Sequence, residues 1–203
     1  LAACVSQCFL TRQSWITDGS RQENSAEHSW HAALSALVLA PYAAFPVNVD
    51  RVIRMLLLHD IVEIDAGDTF LYDDQAAADQ AAREQAAADR LFGLLPFEQG
   101  SADRALWDEF EAGATPDARF AKAVDRVNPV LLNLATQGVG WQRHGIRLEQ
   151  VLDEIVESRG RCPRSGRSCA GVWKPQRAPG GYCANGAGAS IARVTRRVLF
   201  LFA

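Results

Sequence analysis

Residues 49–64 constrain the fold more than any other stretch of this chain. Asn48 can cap a helix there, and Val52, Ile53, Met55, Leu56, Leu57, Leu58, Ile61 and Val62 cover most of its circumference. A helix that is apolar nearly all round has no face to offer water, so it belongs at the centre of other elements. Yet His59 and Asp60 stand side by side inside this run. A buried carboxylate costs on the order of several kcal/mol unless something positive compensates it.

The rest of the central body also reads as helices. Asn24 or Ser25 can cap a helix to Ala40, stopped by Pro41. Gly67 closes the central helix. An alanine-rich stretch over 75–95 is a good helix former and ends at Pro96. Ser101 opens a short helix toward Ala112. Thr115-Pro116-Asp117 combines a capping hydroxyl, a first-turn proline and a dipole-favoured acid, and starts a helix to about Ala135, with a bend expected at Pro129. A last amphipathic helix is predicted over 146–157. No alternating run is long enough to argue for a sheet, so the expected fold class is all-α.

Charge and cysteine divide the 203 residues in two. All 24 Asp and Glu lie between Asp18 and Glu157, against 12 Lys and Arg, so residues 1–158 carry a net charge of −12. Residues 159–203 hold nine Lys and Arg and no acid, with seven glycines and three prolines. The expectation is one helical domain over 1–158 and a basic, unstructured tail over 159–203. One reading of that composition is a flexible basic tail that contacts RNA or an acidic partner; the favoured one is a segment with no evolved role, as a shifted reading frame in a GC-rich gene would give. An acidic body disfavours nucleic acid as a partner, and no apolar run approaches the roughly 18 to 20 residues that span a bilayer. Cys4, Cys8, Cys162, Cys169 and Cys183 leave residues 9–161 without a cysteine, which suits a reducing cytoplasm.

Four histidines occur: His28, His31, His59 and His144. His28 lies in the first turns of its helix, and Asp125 stands among apolar neighbours in the helix from Thr115. Two imidazoles and two carboxylates suit Mn, Fe, Co, Ni or Zn and leave positions open for water and substrate. The bland alternative is a satisfied core histidine, with Asp60 paired to Arg54 or Arg126. Glu63 is four residues after His59, on the same helical face, and Asp68 follows just past the helix end. His31 reads as a packed polar residue, His144 as exposed and Glu84 more readily as a solvated helix face than a cleft residue. Trp30, Trp107 and Trp141 read as packing aromatics.

The ordered set Ala26-Glu27-His28-Ser29-Trp30, Leu58-His59-Asp60-Ile61-Val62-Glu63, Ala66-Gly67-Asp68 and Asp125 resembles the HD-domain metal-dependent phosphohydrolases. Glu23-Asn24 before the first motif and Gly-Asp after the second resemble the branch containing 5′-deoxynucleotidases. The resemblance covers about residues 10–158. It implies a helical fold with one divalent metal ion held by His28, His59, Asp60 and Asp125. It also implies that Glu63 is a catalytic acid or base and that Asp68 contacts the sugar or the attacking water. Arg12 and Trp15 are the nearest candidates for substrate phosphate and sugar, with Arg21 as the alternative phosphate ligand.

Phosphate monoesters hydrolyse extremely slowly unaided, so a site of this kind has a large barrier to lower. The expected reaction is hydrolysis of a (deoxy)nucleoside 5′-monophosphate to nucleoside and phosphate, in a cytoplasmic enzyme that pairs as a homodimer. The runner-up is a phosphodiesterase or pyrophosphohydrolase acting on a signalling nucleotide, which a second metal would favour. A metal-stabilised binding module without turnover is the third reading, and an acid at Glu63 argues against it.

Overall fold

The computed structural model describes residues 6–67, 79–147 and 149–151. Seven helices occur among them: α1 (Ser25–Leu39), α2 (Val49–Leu58), the short α3 (Glu63–Ala66), α4 (Gln80–Phe92), α5 (Phe97–Ala112), α6 (Pro116–Ala135) and α7 (Val139–Arg143). The fold is all-α apart from one hairpin that the sequence did not announce. Its strands, β1 (Thr11–Trp15) and β2 (Gln22–Asn24), pair antiparallel with Thr11 opposite Asn24 and Trp15 opposite Gln22. The register is irregular between those pairs, so the run lacks the alternation that marks a strand.

Local chemistry sets several helix ends. Asn24 and Glu27 form a reciprocal capping box at the start of α1: the Asn24 side chain accepts from the Glu27 amide at 3.0 Å, and Glu27 accepts from the Asn24 amide at 3.1 Å. Asn48 caps α2 by accepting from the Arg51 amide, and Thr115 caps α6 by accepting from the Ala118 amide. α5 starts at Phe97, four residues before Ser101, directly after Pro96 and without a side-chain cap. α6 runs through Pro129 to Ala135. The α-helix expected over 49–64 stops at Leu58, and residues His59–Val62 tighten into a 3₁₀ turn before α3.

The main core lies where α1, α2, α5 and α6 meet. Ala32, Ala33 and Ala36 let α1 approach Val52, Met55 and Leu56 of α2, and Val124, Val127 and Phe110 close the layer. A second apolar cluster joins Val62 and Ala66 to Ala87, Ala88, Leu91 and Phe92 of α4 over Trp107. Trp141 is partly buried, but Trp30 is 64% exposed, against the packing role expected of it. His28 and the three alanines fix the inward face of α1, and two residues from His28 the helix has turned about 200°. Among the described residues, no helix is long and apolar enough to cross a membrane. The tail over 159–203 lies outside the described residues, as does most of the helix expected over 146–157.

Candidate metal centre

The hairpin and the capping box aim the first candidate ligand. β2 delivers the chain into Asn24, the box holds the first turn of α1, and His28 on the next position points inward with no exposed surface. Its Nε2 lies 2.8 Å from Asp125 Oδ1 and 3.8 Å from Asp60 Oδ2. Asp125 comes from α6, between Val124 and Val127, so its helix is held by the core while its carboxylate reaches the cluster.

The 3₁₀ turn supplies the second imidazole. His59 Nδ1 lies 2.8 Å from the Leu56 carbonyl oxygen; a carbonyl can only accept, so Nδ1 carries the proton and Nε2 presents a lone pair. Trp107 Nε1 donates to the His59 carbonyl at 3.1 Å, and the Phe110 ring stands 5.1 Å from the imidazole. These contacts hold the ring while its Nε2 meets Asp60 Oδ1 at 3.0 Å and Asp125 Oδ1 at 3.3 Å. In the neutral tautomer three acceptors therefore face one another. Buried His59 Nε2 has no hydrogen-bond partner among the described residues. Such an arrangement needs a cation, either protons or a metal ion.

The protonation energetics express the same demand. Burial alone would lower the basicity of His59, but Asp60 and Asp125 outweigh it and raise its pKa to about 9. Burial and Arg12 likewise oppose protonation of His28, yet Asp125, Glu23 and Asp60 raise its pKa on balance. Burial pushes Asp125 upward, and the two imidazoles reverse that and hold its carboxyl well below the usual range. Two nitrogens and two carboxylates in this state fit a divalent cation of the borderline class. The ligating atoms of His28, His59 and Asp60 all lie within 4.8 Å of one another, with Asp125 beside both imidazoles.

Around this centre the other candidates separate. Arg12 of β1 reaches it: its Nη1 donates to Asp60 Oδ2 at 2.5 Å and lies 3.4 Å from each Glu63 oxygen. Asp60 thus turns Oδ1 to His59 and Oδ2 to Arg12, with His28 farther from that second oxygen, whereas Arg54 pairs with Asp103. Glu63 is buried and accepts from Ser25 Oγ at 3.1 Å. Arg21 is not brought to the cluster. It is exposed and its guanidinium forks onto Glu27 and the Gln22 carbonyl. Trp15 is half-buried, with the Arg143 guanidinium 4.0 Å over its ring. Asp68 lies outside the described residues; Gly67 before it turns the chain at φ +81°, ψ 150°, a conformation reserved for glycine.

Two residues near the cluster had no predicted role, Glu23 and Ser25. The Glu23-Asn24 pair before the first motif was the available signal for Glu23; nothing marks Ser25 beyond its first-turn position. Glu84 is half-buried, and its pKa is raised by burial, against a Gln80 hydrogen bond, and further by Glu111 and Asp60. That places it in the field of the cluster, beyond the solvated face first expected. His31 is half-buried and His144 is exposed.

Comparisons with known proteins agree with this geometry. The sequence matches the HD domain family over residues 8–160. A 5′-deoxynucleotidase from Xenopus laevis is 31% identical over 123 residues, 60% of this chain and 60% of that protein. One from Homo sapiens is 28% identical over 123 residues, 60% of this chain and 59% of that protein. The chain thus spans about 60% of the length of these curated relatives. Among solved structures, a predicted metal-dependent phosphohydrolase from Magnetospirillum magnetotacticum MS-1 superposes with a TM-score of 0.76. It is 40% identical, and the match covers 98% of this chain and 90% of that one.

Proposed function

This chain belongs to the HD-domain family, and from that premise we propose that it is a divalent-metal-dependent phosphohydrolase acting on (deoxy)nucleoside 5′-monophosphates. One observation carries the reading: the lone pair of His59 Nε2 and oxygens of Asp60 and Asp125 converge on one buried point, beside a buried acid and an arginine. His28, His59, Asp60 and Asp125 would hold the ion. When bound, a divalent cation supplies positive charge that polarises a phosphoryl oxygen and acidifies water.

The chain's own residues do the rest. Arg12 releases Asp60 Oδ2 and binds phosphate oxygens through its fork of donors, a geometry lysine lacks. Glu63, oriented by Ser25, takes the proton that water sheds as its oxygen bonds to phosphorus. The bond from phosphorus to the 5′ oxygen breaks, that oxygen takes a proton from solvent to leave as the nucleoside hydroxyl, and Glu63 returns its own proton to solvent. Trp15 lies along the same strand as Arg12 and supports the expected contact with the sugar. Asp68, one residue beyond Gly67, keeps its proposed role toward the sugar or the water.

A phosphodiesterase working with two ions gains no support here. Among the described residues, His28, His59 and Asp60 are the one group of three or more His, Cys, Asp or Glu side chains whose ligating atoms all lie within 4.8 Å of one another. The test is phosphate release from a panel of deoxynucleotides and cyclic or dinucleotide diesters, with Mn or Co added. Monophosphate hydrolysis, abolished in a His59→Ala, Asp60→Ala double variant, is the expected result. Bound metal with no phosphoester turned over would instead support a non-catalytic module. The exposed Trp30, Leu34, Leu37, Val38 and Tyr42, which recur along one side of α1 and the turn after it, support the expected homodimer. Sedimentation of a Trp30→Glu, Val38→Glu variant as a monomer, beside a dimeric parent, tests it.

A further inference from the structure

Glu23 and His28 present an unexplained pair. Glu23 is 2% exposed at the end of the hairpin, and its Oε1 has no hydrogen-bond partner among the described residues. The same holds for His28 Nδ1, on a residue with no exposed surface. The two atoms face each other at 3.5 Å, just beyond a well-formed hydrogen bond. Buried polar atoms are rarely left so, and two that point at one another are each other's natural partner.

We infer that Glu23 is a positioning residue for the metal centre: it accepts a hydrogen bond from His28 Nδ1–H and so commits Nε2 to the ion. The chemistry requires some such acceptor. His28 Nε2 lies within reach of Asp125 and Asp60, so the ring binds a cation only as the tautomer with its proton on Nδ1. His59 solves the same problem with the Leu56 carbonyl. At His28 the corresponding acceptor is a carboxylate, which also raises the electron-donating power of the ring. The two imidazoles are thus held by acceptors of different strength. Glu23 reaches its place through β2, so the hairpin serves the centre twice, with Arg12 on one strand and Glu23 on the other.

This inference rests on the metal reading above but not on the choice of substrate. The test is titration of the chelator-treated full chain with Co(II), followed by visible absorption, for the parent, Glu23→Gln and Glu23→Leu. Partners of this kind are worth about 10- to 100-fold in metal affinity. Glu23→Leu should lose that much, and Glu23→Gln, which keeps an acceptor oxygen, should recover most of it. Thermal unfolding of the metal-free proteins should not follow this order. Wild-type affinity in Glu23→Leu overturns the inference, as does a loss in both variants matched by falling metal-free melting temperatures. A parent that binds no Co(II) overturns the metal reading itself.

Discussion

One turn of backbone separates Met55 and Leu56, at 0% exposure in the apolar core, from His59 and Asp60, at 5% and 7% in the polar cluster. Burial stabilises on one side of that turn and destabilises on the other. Each apolar square ångström withdrawn from water at Leu56 contributes roughly 25 cal/mol, whereas each charge withdrawn at Asp60 must recover several kcal/mol from its partners. A segment shaped for stability alone would continue the apolar pattern through 59, 60 and 63. That it does not, while keeping those positions equally dry, marks the cluster as built for a ligand and the core as built for the fold.

Separate substitutions should expose this division. Leu56→Ala leaves a cavity and should lower unfolding free energy by about 2–5 kcal/mol in urea titrations. A His59→Leu, Asp60→Leu double variant should hold or gain metal-free stability while losing metal; equal destabilisation by both changes would erase the contrast. Next in size is the ion itself. At a hundred times its Kd, Co or Mn should stabilise the protein by about 2.7 kcal/mol. Calorimetry should find that increment intact in Leu56→Ala and missing in Asp125→Ala.

The two arginines give a sharper comparison within the polar region. Arg12→Ala should remove the proposed charge-assisted hydrogen bonds to phosphate, worth about 1.5–3 kcal/mol, so kcat/KM should fall roughly 10- to 100-fold while metal affinity holds. Arg21→Ala should leave kcat/KM unchanged, because that side chain is engaged with Glu27 at the surface. The smallest effect belongs to the capping box. Asn24→Ala should lower stability by about 1 kcal/mol and weaken metal binding slightly, since His28 follows the capped turn.

What the residues alone reveal follows the range of the forces involved. Helix starts at Asn24, Asn48 and Thr115 are set by side chains bonding amides three residues on, so they can be read locally. The start of α5 after Pro96 carries no such bond, so the residues alone point to Ser101, four positions on. The change to a 3₁₀ turn at His59 escaped because four residues cannot distinguish 3.0 from 3.6 residues per turn. His59, Asp60 and Asp125 are legible because charge in an apolar run is conspicuous, Glu63 because it is four residues after His59, and His28 through its Glu27-His28-Ser29 context. Choosing between Arg12 and Arg21 needed the hairpin, whose pairing joins residues 11 and 24 with an irregular register. Glu23 and Ser25 act only across space, on His28 and Glu63.

Pro129 stands four residues after Asp125 within one continuous helix. A proline has no amide hydrogen, so the rung of the backbone ladder that would tie the Asp125 carbonyl forward is missing. The rest of α6 is anchored in the core by Val124, Val127 and Val130, so the rung is lost at the residue whose side chain leaves the core for the cluster. A helix with every rung in place would dictate where that carboxylate sits. With one rung absent, the Asp125 carboxylate would have the latitude to meet an ion held by His28, His59 and Asp60.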